Sequence, residues 1–285
     1  QLCKQMCTTS TLGFHTFQKR GVRMNWTGAQ ELTDSSKITW NSDWKEDVQR
    51  GRGPVEDSSV VHNVLPTAVF GACVRFWHAP TGTAKRLYVT VMTDTLNKSG
   101  PAAVALERHV LKEALTDPEF AAAWALATHI DKFYDSGRGF LSEVNLADQL
   151  LAWPKEFKKV MLVQFFPGGH GKTLVDGVIF GRAGMGGALE AAKKQVTIRT
   201  TAELLAFCIK RKRRHVKQAR ALPEPDPLTM KQKKLDSIAR KLAKVNAATW
   251  LFSIWTPPST KVGQVVLLQS QRYERVLSSR GPPAV

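Results

Sequence analysis

The apolar residues of Val160–Phe166 run almost unbroken, stop at Pro167 and Gly168, and resume in a helix-like pattern through residue 181. A short run of this kind, bounded by turn residues, predicts a strand buried on both faces. Gly168, Gly169 and Gly171 free the backbone for a sharp turn, and His170, Lys172 and Asp176 set polar groups where the buried strand ends. Upstream, residues 141–153 have the helical period, and residues 128–134 read as a strand ending at Asp135, Ser136 and Gly137. Residues 101–126 are rich in Ala, Leu and Glu and predict a helix broken at Asp117-Pro118. Residues 66–77 and 87–93 predict two strands joined through a turn at 78–85, and residues 21–32 supply the first strand. The expected order is β-β-β-α-β-α-β-α, a mixed α/β sheet. Residues 27–65 are polar and read as a long insertion between the first two strands, pinned down by Trp26, Trp40 and Trp44.

Past residue 200 the pattern changes. Residues 201–221 predict one helix with an apolar face of Leu204, Leu205, Cys208 and Ile209, running on into KRKRRHVKQAR from Lys210 to Arg220. A Pro-rich joint at 223–227 separates it from a second basic helix at 229–245, and residues 248–255 and 262–269 predict a small terminal hairpin before an extended tail at 278–285. The expected organisation is an N-terminal extension (1–20), an α/β domain (21–200), a basic helical segment (201–247) and a hairpin with tail (248–285).

Composition narrows the class. With 285 residues and 43% hydrophobic content the chain can fill a core, which sets it apart from a disordered tail, and no apolar run approaches the roughly 20 residues that cross a bilayer. No membrane partner is expected. The net charge of +17 is local: residues 193–244 hold sixteen Lys or Arg against four acids. Closely placed cations displace counterions from a phosphate backbone, so nucleic acid is the expected partner. The candidate contacts are Lys210, Arg211, Lys212, Arg213, Arg214, Lys217 and Arg220 on the first helix, and Lys231, Lys233, Lys234, Arg240, Lys241 and Lys244 on the second. A solvated face or a nuclear-import signal are the plainer readings of the same run. No base-reading motif accompanies the charge, so it implies backbone binding alone. Cys3, Cys7, Cys73 and Cys208 lack a disulfide-framework spacing, which points to a reducing compartment; Cys3 and Cys7 with His15 lack a fourth zinc ligand. The chain opens at Gln1 rather than Met, read either as a shortened chain or as an organellar protein after presequence removal.

Two chemistries suit the glycine-rich loop. FPGGHGKT, residues 166–173, nearly spells a phosphate-cradling P-loop, but Phe166 stands where that pattern has glycine, and neither 248–255 nor 262–269 contains an acid for magnesium. The other chemistry uses Asp176 together with the acid that ends the fourth strand, Asp135. VRMNW at 22–26, FYDSG at 133–137 and HGKTLVDG at 170–177, in this order of elements, resemble the RNase H-like catalytic domain of a group of eukaryotic DDE-type transposases. The likeness spans residues 21–182 and is most specific in the last motif.

That resemblance implies an RNase H-like fold whose acids hold two divalent ions for nucleic-acid hydrolysis or strand transfer. It also implies a degenerate site at Asn25, Asp135 and Asp176, because Asn25 occupies the first acid's position and brings no negative charge; Asp94, at the end of VTVMTD, is a possible stand-in. The expectation is an inactive, transposase-derived protein without metal or cofactor. It would bind RNA, rRNA above all, as a structural subunit among the proteins of a large ribonucleoprotein such as a mitochondrial ribosome, with a nuclear location as the alternative. An active metal-dependent transposase or nuclease is the second reading, and a P-loop NTPase the third.

Overall fold

The computed structural model describes residues 32, 34–48, 67–94, 98–135, 137, 139–166, 174–181, 184–195, 198–222, 232–246 and 248–257. In chain order they form β1 (Lys37–Val48), β2 (Thr67–His78), β3 (Thr83–Thr93), α1 (Gly100–Ala114), α2 (Pro118–Leu126), β4 (His129–Asp135), α3 (Glu143–Ala147), α4 (Trp153–Phe157), β5 (Val160–Phe166), α5 (Met185–Gln195), α6 (Thr201–Arg220), α7 (Gln232–Asn246) and β6 (Ala248–Ile254). Two π-helical turns, Asp148–Ala152 and Val175–Ile179, join α3 to α4 and precede α5.

One six-stranded sheet runs β5-β4-β1-β2-β3-β6. β1, β2 and β3 pair antiparallel as a meander, β4 and β5 continue parallel to β1, and β6 lies parallel to β3. The protein is thus an α/β fold on a mixed sheet. β2 shows why: its first eight residues are all buried, as a strand with both faces covered requires. On one face Ile38, Trp40, Phe70, Val74 and Val89 meet Leu106 and Val110 of α1 and Phe120 of α2; on the other, Val69, Tyr88 and Met92 meet Val175, Ile179, Leu204 and Leu205.

The helix boundaries follow local chemistry. Asp117 accepts hydrogen bonds from the Glu119 and Phe120 amides and Pro118 occupies the first turn, which starts α2 at the predicted break. Thr200 and Glu203 form a capping box that starts α6.

One expectation needs correction. The first strand among the described residues is β1 at Lys37–Val48, inside the stretch read as an insertion; residues 21–31 lie outside the described residues, and Leu32 is in no strand. Ile38, Trp40 and Trp44 alternate toward one core, but Asn41, Ser42 and Asp43 make the segment look like a loop. Those polar groups are mostly satisfied: Trp40 Nε1 donates to Ser42 Oγ at 2.8 Å and Asn41 Nδ2 donates to the Phe133 carbonyl at 2.7 Å. Of the terminal hairpin, the first arm is β6, an integral strand paired with β3, and residues 262–269 lie outside the described residues.

Lys132 ties β4 to the helical layer. It is fully buried, its Nζ 3.0 Å from Glu107 Oε2 on α1, 2.6 Å from Gln149 Oε1 on the π turn and 3.3 Å from the Trp153 ring centroid. Burial pulls its pKa down to about 8 against the counter-pull of Glu107. Truncating one member of a buried ion pair strands the other charge. Lys132→Met is therefore expected to destabilise the fold by about 3–5 kcal/mol, read as a lowered denaturation midpoint, and the double variant Lys132→Met, Glu107→Gln to recover much of that loss.

Candidate active site and basic surface

The carboxyl ends of parallel strands are where α/β sheets place ligands, and the gap between β1 and β4 is where this sheet's order reverses. Asp135 ends β4. Asp43 lies on β1 one residue beyond the last β1–β4 rung, Ser42–Tyr134, and so stands beside it on the neighbouring strand. Asp176 arrives from the π turn after β5. What brings it in is a missing side chain: Gly71 of β2 pairs with Asp43, and a Cβ there would stand 2.8 Å from Val175 Cγ1 and 3.2 Å from Ile179 Cγ2. Only glycine lets the π turn settle on that rung.

Asp43 and Asp176 share a side-chain hydrogen bond, and the charge of Asp135 is felt at Asp43. Burial, then the Asp176 charge, pushes the Asp43 pKa up to about 7, against the Trp44 amide, which donates to Asp43 Oδ1 at 2.7 Å. Among the described residues no group of three or more His, Cys, Asp or Glu is close enough together to hold a metal ion, and the charge of Asp135 adds to the upward push on the Asp43 pKa.

Of the three positions expected from sequence, Asp135 and Asp176 are brought to one sheet edge, and Asn25 lies outside the described residues. Asp43, which sequence reasoning missed, stands with them; the one local cue was the Ile38, Trp40 alternation that runs on to Trp44 around it. The neutral first position was the ground for expecting a dead site. Nothing described bears on Asn25 itself; the acid found on β1 is Asp43. Asp94 is engaged elsewhere: it accepts from the Thr201 hydroxyl at the start of α6. His170, Lys172 and the rest of the P-loop-like segment after Phe166 lie outside the described residues, as do Cys3, Cys7 and His15, and the antiparallel meander is unlike an all-parallel P-loop sheet. Cys73 and Cys208 are buried free thiols. His109 Nε2 lies 3.0 Å from Ser253 Oγ, but Ser253 is 3% exposed and leaves no approach for a substrate.

The basic run is not one uniform face. Leu204, Leu205, Cys208, Ile209 and Val216 bury the inner side of α6, with Arg211, Lys212 and His215 half-buried at its margin, while Lys210, Arg213, Arg214, Lys217 and Arg220 are set toward its outer side. On α7, Lys233, Lys234 and Arg240 are exposed, and the side chains of Lys241 and Lys244 are not described; Lys231 lies outside the described residues. No described helix is long and apolar enough to cross a membrane. Comparison of the chain with protein-family models, curated proteins and solved structures finds no match.

A carboxyl group whose pKa is higher folded than unfolded holds its proton better in the native state, so its repulsion is absent below pH 4 and fully present above about pH 7. Asp43→Asn is therefore expected to raise stability at pH 8 by on the order of 1–3 kcal/mol, with the gain shrinking to nothing at pH 4. Denaturant titrations at the two pH values measure it.

Proposed function

We propose that the protein is an RNase H-like, transposase-type phosphoryl-transfer protein acting on nucleic acid, with Asp43, Asp135 and Asp176 as its carboxylates. The supporting observation is the Asp43–Asp176 hydrogen bond at the ligand edge of the sheet. Two carboxylates in hydrogen-bond contact do not both ionise unaided; a proton or a cation has to stand between them. The donor set is all oxygen and anionic, which suits magnesium or manganese, and Asp43 and Asp176, with Asp135 beside them, are the groups that would hold it. Divalent cations at such a site supply Lewis-acid stabilisation of the attacking and leaving oxygens of a phosphodiester. The chain's own part is positional: Asp43, its pKa raised to about 7, still holds part of its proton near neutral pH for a cation to displace, the Trp44 amide donates to its Oδ1, and Gly71 holds Asp176 within reach.

A second reading keeps the nucleic acid and drops the chemistry: a structural RNA-binding subunit of a large ribonucleoprotein such as the mitochondrial ribosome. It is favoured by the lack, among the described residues, of three ligating groups in metal-binding proximity. Incubation of labelled DNA and RNA oligonucleotides with manganese or magnesium separates the two. Cation-dependent nicking or strand joining is expected, lowered about 100-fold or more in folded Asp43→Asn and Asp176→Asn. Tight binding with no cation-dependent product would leave the structural reading standing.

Both readings use the outer face of α6. Replacing Arg213, Arg214, Lys217 and Arg220 with glutamine spares its buried face, and is expected to weaken binding across unrelated sequences. The slope of log affinity against log salt should fall by about 0.7–0.9 for each phosphate that is no longer neutralised; an unchanged slope in the folded variant would remove this face from the interface.

A further inference from the structure

The face of the sheet that carries the carboxylates also has a recess between α5, α6 and the strands β3 and β6, with Trp250 and Phe252 as its floor and Thr90 in its lining. Strand register places it. Asp43 pairs with Gly71, Gly71 with Thr90, and Thr90 with Phe252, so the four share one rung across the sheet. At the usual strand spacing Thr90 is roughly 10 Å from Asp43, and Val175 and Ile179 stand over Gly71 between them. Recess and carboxylates are separate sites on a common face.

Three side chains of one stretch of α6 converge on it, Arg211, Lys212 and His215, and among the described residues no acid lines it. Lys212 Nζ lies 3.5 Å from the Trp250 ring centroid. Burial lowers the Lys212 pKa to about 8, and burial followed by the charges of Arg211, Lys212 and Arg214 lowers that of His215. Arg211 and Lys212, cations drawn from water toward one another with an indole face as counterpart, gain from an anion. A different observation points the same way. Thr90 is fully buried, and its Oγ1 has no hydrogen-bond partner. A hydroxyl left so is costly unless a ligand or water completes it. The free space in the recess fits about one oxygen-sized group. Water there would complete Thr90 but leave Arg211 and Lys212 without counter-charge in the recess lining.

We propose that this recess is a phosphate site: one phosphate oxygen enters to accept from the Thr90 hydroxyl and the Lys212 ammonium, while Arg211 and His215 face the remaining oxygens at the mouth. The ligand class is a phosphate group, either free or within a nucleic-acid backbone. The site does not depend on catalysis at the carboxylates.

The test uses the full chain and inorganic phosphate, with chloride holding ionic strength constant. Phosphate is expected to raise the melting temperature saturably and to change tryptophan emission. Lys212→Met keeps the bulk of the stem, and Thr90→Val keeps the shape of the side chain while removing the hydroxyl; each is expected to lower phosphate affinity about fivefold or more. Thr90→Val also serves if the lysine variant fails to fold. An oligonucleotide that competes with phosphate assigns the site to a nucleic-acid backbone, and phosphate binding without competition assigns it to free phosphate or a small phosphate ester. No saturable phosphate binding, or undiminished affinity in the folded variants, overturns the proposal. Asp43→Asn is expected to keep phosphate binding while losing any cation-dependent cleavage, so failure at one site is read separately from failure at the other.

Discussion

A carboxylate on the central strand of a sheet covered on both faces is an awkward group to fold around. Asp43 cannot turn away, because β1 is held by β2 at that rung and by β4 up to Ser42, and its neighbours Trp40 and Trp44 commit the opposite face to the core. Its desolvation is met by the Trp44 amide, by the hydrogen bond to Asp176, and by a position just past the end of the β1–β4 ladder. Much else in the molecule serves that arrangement. β2 carries glycine at the adjoining rung, the chain after β5 winds as a π turn over it, and α5 and α6 close the face beyond. A layer that only needed to bury hydrocarbon would have no reason to bring a second acid to the first.

The opposite layer meets a similar problem in another way. Lys132 is as deeply buried as any aromatic residue around it, but it is enclosed by a carboxylate, an amide and two indole faces. One buried charge is fully matched inside the core; the other is partly matched at an edge. That difference separates a structural charge from one available to a ligand.

Much of this architecture was legible in the chain. The residues at 128–134, 160–166 and 201–221 carry their period or their continuous hydrophobicity openly, and Asp117-Pro118 and Thr200 with Glu203 mark helix boundaries through local hydrogen bonds that neighbouring residues alone decide. β1 was not legible for the reason that makes it interesting: Asn41, Ser42 and Asp43 are polar residues buried by long-range partners, among them the Phe133 carbonyl 92 positions away, and no local pattern announces such partners. Asp135 and Asp176 could be recognised one at a time, whereas the acid that joins them could not. The basic helix shows the same limit. Its charge was plain, but that Lys212 lies over an indole rather than in water follows from β6 being part of the main sheet.

The place of β6 also sets the order in which the molecule can be built. Its partner, β3, ends at Thr93, yet β6 begins only at Ala248, so the last rung of the sheet joins segments separated by more than half the chain. Until residues 248–254 have been synthesised, β3 presents an open edge, and its Tyr88 and Met92 lack the aromatic strand that lies beside them in the finished protein. Such pairing is slow because the loop must close before any contact rewards it. The cationic helices fall within that loop, so during synthesis an adhesive strand edge and a strongly charged segment are exposed together. Like charges on separate nascent chains repel, and that repulsion shields the unfinished edge from its counterparts for as long as the edge stays open.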